Sequence, residues 1–411
     1  MNVCLEVIFL YLIQYFSLMD TSAHSQEDFS LSAGGPFNRA LERMRLHNRL
    51  GRFAVVGLCI TWLPLLLITI IEGTLYAGTQ LPFLKDVAMH ARLLVALPML
   101  IMIKLPIDTK VNAVTKFLAE VLMSPEERQE FLTTAFRRAR KLTSSAVTEI
   151  ILLLIVIGAT VSFVKGGVYS ALEDGTISWM TYTKEAGQRL SVAGYWAVII
   201  SIPIFQFLLL RWLWRYFVWM ILLFHLSKAT LNLMPTHADR AGGLGIIMLA
   251  QRSFNLIFVA GGVSISGQLI AQLLKHPDSF ESIRGQGIAY IIICLVFLLI
   301  PLLFFMQKLF KTKDKGLLHM SDLGATLSRQ FEREWVNDLP IEKKPEEKQV
   351  DPSLLFDYSG MYDSLQQLRT VPVTPRDIIG MALKLFVPFI PILFIHFSVV
   401  ELLQKIAGLL A

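Results

Sequence analysis

Cysteine is nearly missing from this chain: 411 residues contain three, Cys4, Cys59 and Cys294. Each lies in an apolar stretch, and no CxxC or Cys/His spacing joins any two of them. A disulfide framework and a thiolate metal site are thereby excluded as organising devices, and the three read as small buried hydrophobes. Charge is also scarce, 17% against the roughly 25% of a soluble domain. No HExxH, GxSxG, kinase or deaminase pattern occurs, so no enzyme signature names a reaction and none names a cofactor. Internal repeats are missing too, which removes the usual mark of inverted-repeat transporters.

Apolar length takes the place of charge. Hydrophobic residues make up 54% of the chain, with a mean hydropathy of +0.56. They lie in solid blocks of roughly 20 residues, long enough to cross a hydrocarbon core as helix. A membrane barrel would show dyad alternation instead. The predicted fold is therefore all-α, a polytopic transmembrane helix bundle of about seven spans with a cytosolic helical region. The net charge of +6 gathers beside the span ends, as cytosolic loops do, and does not point to nucleic acid.

The blocks predict spans near residues 53–76, 89–105, 146–164, 191–210, 253–274, 287–306 and 378–397. Arg39, Arg43, Arg45, Arg49 and Arg52 precede the first span and place that end in the cytosol. The second is interrupted by Pro98 and rests chiefly on orientation, because the basic loop after it must return to the same side. That loop, 108–141, reads as a helical hairpin. Val111, Val114, Phe117, Leu118 and Val121 give its first arm one apolar face. Ser124-Pro125-Glu126-Glu127 gives the second arm an N-cap, a first-turn proline and acidic residues at the dipole's positive end.

In the third span, Gly158 and Ser162 stand four apart and are expected to admit a close neighbouring helix. Arg211-Trp212-Leu213-Trp214-Arg215 closes the fourth as an interfacial belt, after which 216–233 either lies on the surface or continues the helix. Ala260, Gly262, Ser264 and Ser266 predict a buried packing helix for the fifth, whereas the sixth is expected to face lipid. The organisation divides into an N-terminal segment (1–52), a six-span region (53–307), cytosolic helices with a charged linker (308–377), and a seventh span with an amphipathic tail (378–411). Residues 1–18 are apolar but lack a signal peptide's basic start; they read as an upstream start site or an eighth span.

The most unusual polar segment is Pro235-Thr236-His237-Ala238-Asp239-Arg240-Ala241-Gly242-Gly243-Leu244-Gly245. Glycines before a helix leave N–H groups free to face an anion, with Arg240 adding positive potential. His237, Asp239, Arg240, Gly242, Gly243 and Gly245 are thus candidates for an anion or lipid-headgroup site. The simpler alternative is a tight turn in which Asp239 caps a helix. Neither a Walker A loop nor a dinucleotide fingerprint fits the spacing. This stretch resembles that of a group of uncharacterised bacterial integral membrane proteins sharing a PTHxDRAGGLG segment. The resemblance extends to Gly316-Leu317-Leu318, Phe331-Glu332-Arg333-Glu334-Trp335, Asp357, Tyr362, Arg369, Val371 and Pro372. It implies a bacterial inner-membrane location and transfers no mechanism. Residues 340–349 and the N-terminal stretch depart from the group's pattern.

Polar residues at membrane depth are the remaining candidates: Glu72, Arg92, Lys104, Arg252 and His396, with Glu149 at the edge of the third span. No metal-ligand spacing occurs. Three function classes follow. A scaffold, sensor or accessory subunit ranks first, meeting an anionic lipid or a protein partner through its cytosolic helices. A small-solute transporter or channel ranks second, and a membrane enzyme acting on a lipid or phosphate-bearing substrate third.

Overall fold

The computed structural model describes residue 31 and residues 34–44, 49–165, 178–184, 187–337 and 351–396. The expectations for residues 1–18, for most of the charged linker and for the tail after 397 lie outside the described residues. Within them the fold is all-α. Six helices are long and apolar enough to cross a membrane, or seven if one bent pair counts as a span.

A short helix, α1 (Pro36–Arg43), precedes α2 (Leu50–Ile71). Helix α3 (Val87–Val121) is followed by the bent pair α4 (Pro125–Ser144) and α5 (Ala146–Phe163), which meet at 45°. A hairpin, β1 (Thr181–Lys184) with β2 (Gly187–Leu190), leads into α6 (Val192–Lys228). Helices α7 (Leu244–Lys275) and α8 (Pro277–Leu303) form the next two crossings. Two helices outside the spans, α9 (Met306–Phe331) and α10 (Pro352–Gln366), precede α11 (Pro375–His396).

Several starts follow directly from side-chain caps. Asp86 accepts from Met89 N at 2.9 Å to open α3, and Ser124 accepts from Glu127 N at 3.3 Å to open α4. Thr374 and Asp377 form a reciprocal capping box on α11.

Prolines inside the spans free carbonyls that lipid cannot satisfy, and neighbouring helices supply the missing donors. Pro64 frees Ile60 O, which accepts the Trp196 indole N–H at 3.1 Å. Pro301 frees Phe297 O, which accepts the Tyr216 hydroxyl at 3.0 Å. Pro98 and Pro203 each follow a stretch of wider turns, Ala91–Ala96 and Ala197–Ser201, where the backbone bonds one residue further along.

Helix α7 is the centre of the bundle. In its most apolar stretch 67% of residues are buried, against 28% in α8, whose Ile288, Ile292, Ile293 and Val296 are exposed. A methyl group at Gly267 would lie 2.7 Å from Ala91 Cβ and 3.1 Å from Ala88 Cα, so only glycine admits α3 this closely. The small residues of α5 behave otherwise. Nothing stands within 4 Å of the position a Cβ would take at Gly158, so among the described residues no helix uses the predicted close-packing face there. Helix α5 rests on α6 through Glu149, Leu152, Val156 and Thr160, and the opposite side is open.

One boundary differs from the sequence reading: the hairpin's first arm is not separate from the second span, and α3 is one helix of 35 residues. For 216–228 the structure takes the second of the two alternatives, and α6, of 37 residues, continues through it. At 1.5 Å per residue these helices are about 50–55 Å long, some 20 Å more than a hydrocarbon core requires. Val111, Val114 and Leu118 lie in the same hydrophobic core as the spans, so the core continues past the membrane at the basic end. Periodicity found the apolar face but could not mark where lipid stops and protein begins.

Candidate functional site

Two polar constructions occupy the basic end of the bundle. The first is the glycine-rich turn between α6 and α7. Asp239 Oδ1 accepts from Ala241 N at 2.8 Å and Gly243 N at 3.1 Å, while Oδ2 accepts from Gly245 N at 2.9 Å. The N–H groups that an outside anion would meet are thus turned onto the chain's own carboxylate. His237 Nδ1 lies 2.8 Å from Oδ1. Burial would raise the Asp239 carboxyl, but the N–H groups of Ala241, Gly245 and Gly243, together with His237, hold it below the ordinary aspartate range.

The turn needs left-handed backbone at Gly242 (φ 64°), at Gly243 (φ 94°) and, unusually, at Arg240 (φ 50°). Arg369, just beyond α10, holds it there. Its backbone N–H donates to Arg240 O at 2.9 Å and its Nη2 donates to Asp239 O at 2.6 Å. Gly316 of α9 lies against Pro235 and Leu365. Lys313 Nζ donates to Gln366 O at 2.6 Å and Leu368 O at 3.1 Å. Three segments singled out by the resemblance, 235–245, Gly316 and Arg369, therefore converge on one joint. It fastens the α9–α10 pair to the bundle.

The second construction is a belt of buried charge where α3, α5 and α6 leave their most apolar stretches. It holds Lys104 and Asp108 of α3, Glu149 of α5, and Arg211 and Arg215 of α6. Arg211 and Arg215 are only 6% and 4% exposed, and Asp108 and Glu149 each 7%. Arg211 Nη2 lies 3.2 Å from Glu149 Oε1, yet without hydrogen-bond alignment, so both atoms are buried and unsatisfied. Glu149 Oε2 accepts from Phe37 N at 2.8 Å, which brings α1 over the belt. The Phe37 ring covers the Arg211 guanidinium at 4.5 Å, and the Trp212 ring faces that of Arg215 at 4.7 Å.

Sequence reading missed most of this belt. It took the two arginines as an interfacial anchor and passed over Asp108. The available signal was the spacing: Lys104/Asp108 and Arg211/Arg215 are both i, i+4 pairs, each on one face of its helix.

The remaining sequence candidates are scattered. Arg92 is buried among α3, α6 and α7, donating from Nε to Ser264 Oγ at 3.2 Å with Phe205 beneath it at 5.8 Å. Ser264 is near the middle of α7, so Arg92 reaches deeper than its position in the sequence suggested. Glu72 Oε1 accepts from Val192 N at 2.9 Å and caps α6 across a loop. Arg252 pairs with Asp377 and joins α7 to α11. His396 stacks on Phe280 at 3.6 Å.

Two cavities bear on these residues. One of about 30 Å³ lies in the charge belt, and one of about 470 Å³ is an apolar groove between α5 and α6. Neither is lined by Glu72, Arg92 or His396. Among the described residues no three His, Cys, Asp or Glu side chains come together as a metal ion would need. The fold and these sites define a multi-pass helical membrane protein. No family model, curated protein or solved structure matches the chain.

Proposed function

We propose that this protein is a non-catalytic scaffold, sensor or accessory subunit whose α9–α10 arm meets a protein partner. One observation carries the reading: the arm is long, jointed to the bundle at its base and short of a core of its own. Helix α9 has 26 residues, about 39 Å, yet only Leu309, Gly316 and Gly324 are buried in it, and only Leu365 in α10. The two helices meet through Gly324 and Tyr358, whose hydroxyl donates to Met320 O at 2.7 Å. Leu318 is 72% exposed and Phe356 79%. Outside a membrane, large apolar side chains so exposed mark an interaction surface. Lipid explains the exposed isoleucines of α8; it does not explain these.

The basic loops belong in the cytosol by the bias of lysine and arginine, which puts the arm on that side. The resemblance of the 235–245 segment supports a bacterial inner membrane.

The test is crosslinking in native membranes from photoreactive residues placed at 318 and 356. A defined protein adduct is expected, lost on Leu318→Glu or Phe356→Glu while membrane abundance is kept. An adduct indifferent to both substitutions, or none from either position, would refute the reading.

A further inference from the structure

The charge belt holds more cation than anion, and its cavity makes the imbalance local. Buried Arg211 and Arg215 and half-buried Lys104 face two buried carboxylates, Asp108 and Glu149, with Glu42 nearby but exposed. The cavity of about 30 Å³ is lined by all three cations and by neither carboxylate. Both oxygens of Glu149 are directed elsewhere, to Arg211 and to Phe37 N. Asn38 adds a polar group from above, and the rest of the lining is apolar.

We propose that this cavity is a phosphate-binding site, in which Lys104, Arg211 and Arg215 receive phosphoryl oxygens beneath α1. Three arguments converge. Arg211 Nη2 is paired with Glu149 Oε1 at 3.2 Å but without an aligned hydrogen bond, so the buried guanidinium keeps donor capacity that a phosphoryl oxygen would meet. Arginine's fork suits phosphate, and two arginines one turn apart with a lysine opposite reproduce a common cradle. Depth is the third. Lys104 follows the apolar run that ends at Ile103, and Glu149 stands in the first turn of α5, so the cavity lies where lipid gives way to its headgroups.

The size bears on the source. About 30 Å³ holds on the order of two waters. That admits the leading oxygens of a phosphate and leaves its remaining substituent outside. A lipid phosphate meets this condition with its chains in the bilayer, beside Leu50 and Phe53; a free phosphate must leave its remaining oxygens to water. Lys104 and Arg215 have partners within the protein as well, so the phosphate supplements or exchanges those contacts. Helix α1 covers the site through the Phe37 N–H on Glu149 and the Phe37 ring on Arg211. The inference is independent of the α9–α10 arm and stands whether or not that arm has a partner.

Delipidated full-length protein in detergent tests it by thermal unfolding and native mass spectrometry with phosphatidic acid, diacylglycerol of the same chains, and inorganic phosphate. Phosphatidic acid is expected to raise the melting temperature and remain bound, and diacylglycerol to do neither. A shift with inorganic phosphate alone assigns the site to the free anion. Lys104→Gln and Arg215→Gln should each weaken binding at least tenfold, while Arg128→Gln, on the exposed face of α4, should not. Should either belt variant fail to fold, photoreactive phosphatidic acid on the wild-type protein decides. Adducts within 36–53 or 208–215 support the site, and adducts found exclusively elsewhere overturn it. Equal stabilisation by diacylglycerol and phosphatidic acid, or wild-type binding by both belt variants, also overturns it.

Discussion

The glycine-rich turn and the charge belt lie at the same end of the molecule, and both combine carboxylate with arginine. They differ in how completely their polar groups are matched. In the turn, one carboxylate accepts three backbone N–H groups, and Arg369 holds two successive carbonyls, leaving one buried donor, its own Nε, without a hydrogen bond. In the belt, Arg211 and Glu149 lie 3.2 Å apart without an aligned hydrogen bond, and three cations line a small cavity. The joint is thus nearly self-satisfied, and the belt is less so. Conspicuousness in sequence and incompleteness in structure are separate properties, and in this protein they fall on different residues.

The sharpest way to break this contrast is Glu149→Leu. It removes the carboxylate partner of Arg211, a residue 6% exposed, and leaves a buried cation uncompensated. A loss of about 3–5 kcal/mol is expected, read as unfolding in detergent, and α1 should loosen with it because Phe37 N loses its acceptor. A loss under about 1 kcal/mol would mean that water already reaches the pair.

Asp239→Ala comes next. It strands three backbone N–H groups in a half-buried turn, and about 2–3 kcal/mol is expected from the cost of unmet donors. The joint's pH dependence has a fixed sign. Asp239 is held below its ordinary value when folded, so its contribution is complete above about pH 4 and fades as the pH falls through the lower folded value. Protection factors across 234–245 and α9, corrected for intrinsic exchange, should therefore fall in acid for the wild type and change little for Asp239→Ala.

The all-α membrane architecture was legible in the sequence because apolar length is a one-dimensional signal. The start of α4 was legible for the same reason, since Ser124 acts within one turn of itself. The burial of α7 was legible too, from Ala260, Gly262, Ser264 and Ser266; what was not legible is which neighbour a given residue meets. Gly158 and Gly267 look alike as small residues in apolar helices, yet one faces open space and the other Ala88 and Ala91 of α3. Arg211 reads as an interfacial anchor until Glu149, 62 positions earlier in the chain, is brought against it. For the 235–245 segment the sequence left a tight turn capped by Asp239 and an anion site both open, and in the structure Asp239 accepts three of the turn's N–H groups. Gly267→Ala and Gly158→Ala measure this ambiguity directly. The first should cost about 1–3 kcal/mol by overpacking, and the second should be within about 0.5 kcal/mol of neutral in detergent. A large penalty at Gly158 in native membranes but not in detergent would instead reveal a partner helix on the open face of α5.

Arg240→Gly has the smallest expected effect and the opposite sign. Arg240 is the one non-glycine residue with positive φ among the described residues, and its side chain is exposed. The joint therefore keeps a bulky residue in backbone that glycine adopts without strain. Its backbone bonds, from N to His237 O at 2.9 Å and from Arg369 N to its own O at 2.9 Å, survive the substitution. If the turn is only a joint, glycine should stabilise it by about 0.5–1 kcal/mol, with no change in any membrane phenotype. If the variant is more stable but inactive in the cell, the exposed guanidinium has a ligand. The strain is then retained to present it, and the contrast with the charge belt becomes one between two open sites, one on the surface and one beneath α1.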